Sequence, residues 1–257
     1  SMEEVIYSID NNRTLPNNSV VLTFDDGYID HYLNVFPVLD RLGIQGSFFI
    51  PVRPVMERIV LNDNKIQFIL SSSDDSMSVI NDIKNLLKKN SYIIDDFDNY
   101  YKKIAIPSSY DSGDIIFIKR MLQTELPEDI RNKIVDKLFD KYVGVKESVF
   151  SKELYVNEEQ VNHMRRNNMH IGIHGYNHSR WNKLNRRQLE QEIALSLEFI
   201  SEIGADMDNW TACYPHGSYD KKTIDILNEK GCKLALTIED GVARVSQKSR
   251  FLLPRID

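Results

Sequence analysis

Cysteine is scarce in this chain: Cys213 and Cys232 are the only two among 257 residues. So thin a complement excludes a disulfide-stapled scaffold and a zinc site built from cysteine pairs. Both lie in apolar segments that read as neighbouring strands, and two buried free thiols are the expectation. Positive charge is also short, with 32 Lys and Arg against 38 Asp and Glu and a formal net charge of −6. That balance argues against nucleic acid or an anionic membrane surface as the main partner. No apolar run approaches the length of a membrane span, and the N-terminus lacks the basic-then-apolar pattern of a secretion signal. Although Ser1-Met2 has the look of a cleaved tag, the sequence as it stands points to the cytoplasm. Internal repeats and low-complexity tracts are absent too. What remains is ordinary, 42% hydrophobic and 27% charged, enough for one barrel-sized domain or two smaller ones.

Short apolar runs recur at 20–24, 47–52, 170–173, 210–214, 233–238 and 251–253 and read as strands. Helical patterns lie between several of them, which is the rhythm of a parallel β/α architecture. One helix buries Tyr32, Val35, Phe36 and Leu39 and stops at Gly43. Asn157 with Gln160 forms a capping box that opens another. Leu189, Ile193, Leu197 and Ile200 mark a third, which ends before Gly204. The segment 57–152 breaks this rhythm. Val79, Ile80, Ile83, Leu86 and Leu87 mark one amphipathic helix there, and Ile115, Ile118, Met121 and Leu122 a second. A third opens at Pro127 and carries Ile130, Ile134, Leu138 and Phe139. Asp95–Phe97, Tyr100-Tyr101 and Ser108–Asp111 read as the loops that join them. The segment is expected to be a mostly helical insertion after the second strand, overhanging the site and shaping substrate choice.

Two motifs carry the chemistry. Thr23-Phe24-Asp25-Asp26-Gly27 sets two carboxylates where a strand breaks at a glycine. His174-Gly175-Tyr176-Asn177-His178 follows another apolar strand and sets two imidazoles four residues apart. An Asp-Asp-Gly alone is usually a solvated turn, and paired histidines alone are commonly surface or core residues. Both motifs sit at strand ends, where α/β folds collect functional groups. One carboxylate with two histidines suits a catalytic zinc with a position open for water, and the second carboxylate is placed to take that water's proton. The pattern reads as a metal-dependent hydrolase.

These motifs resemble the polysaccharide deacetylases, carbohydrate esterase family 4. The likeness runs from Ser19 to Tyr28, through Pro37–Leu39, Gly43-Ile44 and Ser47–Ile50. It resumes near Tyr155 and takes in both histidines, Cys213–Tyr219 and Leu253–Ile256. The resemblance implies a distorted (β/α) barrel of about seven parallel strands and an N-deacetylase acting on an N-acetylated sugar. It makes Asp25 the general base and Asp26, His174 and His178 the ligands of a divalent ion. Zinc is the expected ion, and cobalt, nickel or iron also suit such a site. It places Tyr214, Pro215, Leu253 and Arg255 on the substrate side, with the His216 N–H facing the developing oxyanion.

Two departures follow. Many members carry a C-terminal histidine that protonates the leaving amine, and here the stretch is Leu253-Pro254-Arg255, whose arginine is too basic for that task. His216 is therefore the candidate acid, the alternative being return of the proton by Asp25. The arginine that orients the base in many members is missing from Ala212-Cys213-Tyr214. Gly175 replaces the usual serine or threonine and is expected to loosen its loop. His31, His163 and His170 read as residues outside the site. Two other functions stay open: a catalytically impaired carbohydrate-binding homologue, and an amidohydrolase acting on a non-sugar acyl amide.

Overall fold

The computed structural model describes residues 1–256, and in it twelve α-helices and six strands follow one another. Helix α1 (Met2–Asp10) precedes β1 (Leu22–Asp25), and a π turn at His31–Val35 leads into α2 (Phe36–Leu42), β2 (Gly46–Ile50) and α3 (Val52–Glu57). Then come α4 (Asn62–Ser72), α5 (Ser76–Lys89), α6 (Phe97–Ile104), α7 (Gly113–Arg120), α8 (Glu128–Tyr142) and α9 (Glu147–Leu154). The chain returns through α10 (Glu158–Arg166), β3 (His170–Ile173), α11 (Arg186–Glu202) and β4 (Ala212–Cys213). It ends with α12 (Lys221–Glu229), β5 (Ala235–Asp240) and β6 (Leu253–Arg255).

The strands form one all-parallel sheet in the order β1-β2-β3-β4-β5-β6. Parallel neighbours need a crossover between them; segments that contain helices supply it from β1 through β5, and a loop joins β5 to β6. An unbroken sequential order belongs to a (β/α) barrel rather than to a doubly wound sheet, whose order reverses at a switch point. The sheet curls far enough for Arg255 of β6 to hydrogen-bond Thr23 and Asp25 of β1. Six strands are found where about seven were expected. Among the described residues the long stretch between β2 and β3 holds helices, their loops and one isolated antiparallel bridge of Tyr155 with Tyr28, with no strand of the sheet, and side chains rather than another strand link β6 to β1.

Alternation along the strands separates two cores. Phe48 and Ile50 pack outward with Ile171, Ile173 and the helices, including Leu189 and Ile193 of α11. Phe49, Cys213, Leu236 and Leu253 point the other way and meet Met2, Val5, Ile6 and Ile9 of α1. Helix α1 thus plugs the sheet's inner face, and burying each of its apolar side chains is worth roughly 1.5–3 kcal/mol as an upper bound. A capping box between Ser1 and Glu4 starts it. Glu3 ties it down by accepting from His170 Nδ1 at 3.1 Å, at the first residue of β3.

The chain divides into two compact units, Val60–Phe150 and the remainder. In the first, Ile66 and Ile69 of α4, Val79, Ile80 and Ile83 of α5, Phe117 and Ile118 of α7 and Ile134, Val135, Leu138 and Phe139 of α8 supply buried apolar side chains. Lys65 is buried there and is neutralised by Asp136 at 2.6 Å and Glu147 at 2.7 Å. Tyr100 and Tyr101 lie within α6 rather than in a loop, because Asp96 caps a helix whose Ile104 is buried. Both cysteines are free and buried. Among the described residues, no helix is long and apolar enough to cross a membrane.

Candidate metal-binding active site

The site forms where β1, β3 and β4 end. Strand β1 stops at Asp25, and Asp26 (φ 71°) and Gly27 (φ 64°) turn the chain in left-handed conformations. A side chain at Gly27 would press on Ile50 Cγ2 at 3.2 Å, so only glycine follows the aspartates without strain. His178 and His216 are also left-handed, at φ 57° and 55°. Such conformations cost about 1–3 kcal/mol each outside glycine and concentrate where function demands them.

Three acceptor atoms converge. Asp26 Oδ1 lies 3.4 Å from His174 Nε2 and 3.2 Å from His178 Nε2, and the two Nε2 atoms are 3.2 Å apart. His174 Nδ1 sits 2.8 Å from the Cys213 carbonyl. A carbonyl can only accept, so Nδ1 carries a proton, and Nε2 is the nitrogen turned to the cluster, where it would offer a lone pair to an ion on giving up its own proton. An ion bound tetrahedrally at about 2.0–2.1 Å holds its ligand atoms about 3.3–3.4 Å apart. The three edges fit a divalent ion of zinc's size, and the Cys213 carbonyl is the outer partner that fixes such a histidine.

The proton affinities point the same way. Burial, the largest influence on Asp26, raises its pKa, yet hydrogen bonds and charge from His174 and His178 carry it far below the usual carboxylate range. For His174 burial disfavours the charged form, but Cys213, Asp26 and Asp25 push its pKa well above the ordinary value. Both shifts mean that the cluster favours positive charge at its centre.

Asp25 stands apart from this triangle. Arg255 grips it with two bonds, Nη1 to Oδ1 at 3.1 Å and Nη2 to Oδ2 at 2.7 Å. Cys213 Sγ approaches Oδ2 at 3.3 Å. Arg255 also donates to Thr23 Oγ1 at 3.2 Å and to the Thr237 carbonyl at 2.9 Å, so its fork is aimed from four sides. Burial would raise the Asp25 pKa, but His174 and Arg255 outweigh it and hold the carboxylate ionised. An arginine on β6 thus bonds Asp25, whereas Ala212-Cys213-Tyr214 of the third motif supplies none.

The structure brings together Asp25, Asp26, His174, His178 and Arg255. His216 stands beside them, its ring 4.4 Å from that of His178 and its Nε2 3.1 Å from the His178 carbonyl. Tyr214 and Leu253, assigned above to the substrate side, turn into the core. Tyr214 is fully buried and donates to the Phe251 carbonyl at 2.9 Å, and Leu253 packs with α1. Pro215 is buried in the turn that carries His216. His163 and His170 bond Tyr32 and Glu3 instead, and His31 packs among Phe24, Tyr28 and Phe48.

The Gly175 loop is pinned rather than loosened. Glu192, a buried residue of α11 on which the sequence carries no motif, accepts the Tyr176 and Asn177 N–H groups at 3.0 Å each. A Cβ on Gly175 would meet Glu192 Oε2 and Trp181 Nε1 at 3.2 Å, which explains the glycine at φ 78°. The signal available in the sequence was a lone glutamate on the apolar stripe of Leu189, Ile193 and Ile200.

Comparison with known proteins identifies the family and the fold. The sequence profile of the family described as polysaccharide deacetylase matches residues 12–59 and 125–235, more than half of the chain. No curated protein sequence matches it. Among solved structures the chain is similar to the Streptococcus pyogenes deacetylase PplD in complex with acetate, with TM-score 0.56 and 17% identity over 100% of this chain and 71% of that one. The BpsB deacetylase domain from Bordetella bronchiseptica gives TM-score 0.52 and 14% identity over 99% and 76% of the two chains. A de-N-acetylase from Aggregatibacter actinomycetemcomitans gives 0.52 and 15% over 100% and 76%. Likeness at such identities is one of fold.

Proposed function

Because the chain belongs to the polysaccharide deacetylase family, we propose that it is a metal-dependent N-deacetylase that hydrolyses the acetamido group of an N-acetylated sugar to a free amine and acetate. The observation that carries this reading is the triangle of Asp26, His174 and His178 acceptor atoms with a second, arginine-held carboxylate beside it.

Asp26, His174 and His178 would hold the ion. When bound there, a divalent ion would lower the pKa of its water to about 7 and polarise the acetyl carbonyl. Asp25, kept ionised and oriented by Arg255, accepts the proton of the attacking water. The developing oxyanion faces the turn at Pro215, where the His216 N–H is the candidate donor. Cleavage of the C–N bond leaves an amine that must gain a proton. We assign that donation to His216, an imidazole beside the ligand pair whose Nε2–H bond to the His178 carbonyl fixes its ring.

The test is acetate release by chelator-stripped protein before and after zinc is restored. Substrates would span N-acetylhexosamine mono-, oligo- and nucleotide-linked forms alongside non-sugar acyl amides. Zinc-dependent release from a sugar is the expected result. Stoichiometric zinc with no turnover of any substrate would favour a carbohydrate-binding homologue. Turnover of non-sugar amides alone would favour a different amidohydrolase. His216→Gln should keep its zinc and lose most activity, and full activity in that variant would return the proton step to Asp25.

A further inference from the structure

The residues between the two histidine ligands are held by an unusually complete set of bonds. From one side the Val52 and Arg53 N–H groups, where β2 gives way to α3, donate to the Gly175 carbonyl at 3.2 Å and the Tyr176 carbonyl at 3.0 Å. From the other side Glu192 of α11 accepts the Tyr176 and Asn177 N–H groups at 3.0 Å each on Oε2, while its Oε1 takes the Asn177 side-chain amide. Arg53 Nη1 meets the other end of that amide, Asn177 Oδ1, at 3.2 Å. Carbonyls are thus tied to the strand side and amides to the helix side.

Glu192 is 6% exposed. A carboxylate so placed is costly unless bonded, and every bond it makes in this network goes to the segment just before His178. Hydrogen bonds to a charged acceptor are stronger than neutral ones. The missing side chain of Gly175 opens the path by which the carboxylate reaches the loop. The chain then enters His178 at φ 57°, a conformation that persists only where its surroundings over-determine it.

We propose that Glu192 is the positioning residue of the metal centre: its carboxylate fixes Tyr176 and Asn177 and so sets where His178 presents Nε2. The role rests on the reading of Asp26, His174 and His178 as metal ligands. It differs from that of the Cys213 carbonyl, which bonds a ligand ring directly. Glu192 touches neither ligand ring in this network and acts through the backbone between them.

The experiment compares Glu192→Ala and Glu192→Gln with the wild type by three measurements. Zinc affinity is read by competition with a chromogenic chelator. Amide hydrogen exchange at Tyr176 and Asn177 is read on metal-stripped protein, and thermal unfolding is read on the same samples. Glu192→Ala should bind zinc about 10–100-fold more weakly, the usual cost of losing an outer-shell partner, and exchange both amides faster while β3 amides stay protected. Glu192→Gln keeps one acceptor oxygen and should fall between; if the alanine variant fails to fold, this variant carries both measurements. Wild-type zinc affinity in a variant whose melting temperature alone falls would reduce Glu192 to a structural role and overturn the proposal, as would unchanged exchange at the two amides. A wild-type protein that binds no zinc would overturn the ligand reading instead, and the exchange data would still report whether Glu192 holds the segment.

Discussion

Asp25 and Asp26 are adjacent in sequence and opposite in circumstance. Asp26 faces two imidazoles and Asp25 faces a guanidinium, which is why the proposal gives the first to the cation and the second to the proton of the attacking water. Asp25→Asn should retain zinc and lose about 10²–10⁴-fold in kcat, the range of a positioned general base; near-normal turnover would remove Asp25 from the mechanism. Arg255→Lys probes the orientation separately. Lysine restores the charge but not the two-pronged contact, and losing a charge-assisted bond of ~1.5–3 kcal/mol corresponds to about ten- to a hundredfold in rate. The decrease should appear in kcat with zinc affinity unchanged. The motif residues were legible because each cluster is contiguous in the chain. Arg255 was expected on the substrate side, and its grip on Asp25 was not legible, since the two lie 230 residues apart and only the curling of the sheet joins them.

At the scale of elements, punctuation was readable wherever it is chemical. The Asn157–Gln160 capping box and the Gly43 stop stand as expected, with Gly43 at φ 65°. Helix α1 escaped notice although Met2, Val5, Ile6 and Ile9 fill one face. Its attachment has a pH signature. Burial would raise the Glu3 pKa, but hydrogen bonds from His170 and Gln45 win and lower it from 4.5 to about 2. A depressed carboxylate stabilises the fold above its unfolded pKa, and that contribution disappears as pH falls toward the folded value. Glu3→Gln should therefore unfold more easily than wild type near neutrality, and the difference in denaturation midpoint should shrink between about pH 4.5 and pH 2. The side chain is 45% exposed, so solvent screening keeps the effect modest. A gap that stays constant across that window would show that Glu3 contributes through packing alone.

For the molecule as a whole, the division of labour follows from where the groups reside. Asp25, Asp26, His174, Glu192 and Arg255 belong, with His178, to the unit outside Val60–Phe150. That unit also holds both hydrophobic clusters that pack the sheet, one against its helices and one against α1. Val60–Phe150 carries its own buried apolar side chains and a buried lysine with two carboxylate partners. In the sequence a change of rhythm, from strand-helix alternation to helices alone, set off residues 57–152, but periodicity says nothing about which helices pair. Replacing residues 60–150 by a flexible Gly/Ser linker tests the division. Because no proposed ligand or positioning group is removed, the shortened protein should keep one equivalent of tightly bound zinc and a cooperative unfolding transition that zinc shifts upward. Free ligand at a hundred times its Kd stabilises a fold by about 2.7 kcal/mol, a shift that a thermal scan resolves. A shortened chain that folds but binds no zinc would assign part of the metal centre to residues 60–150. Retained zinc with altered acetate release would confine the contribution of that unit to the substrate.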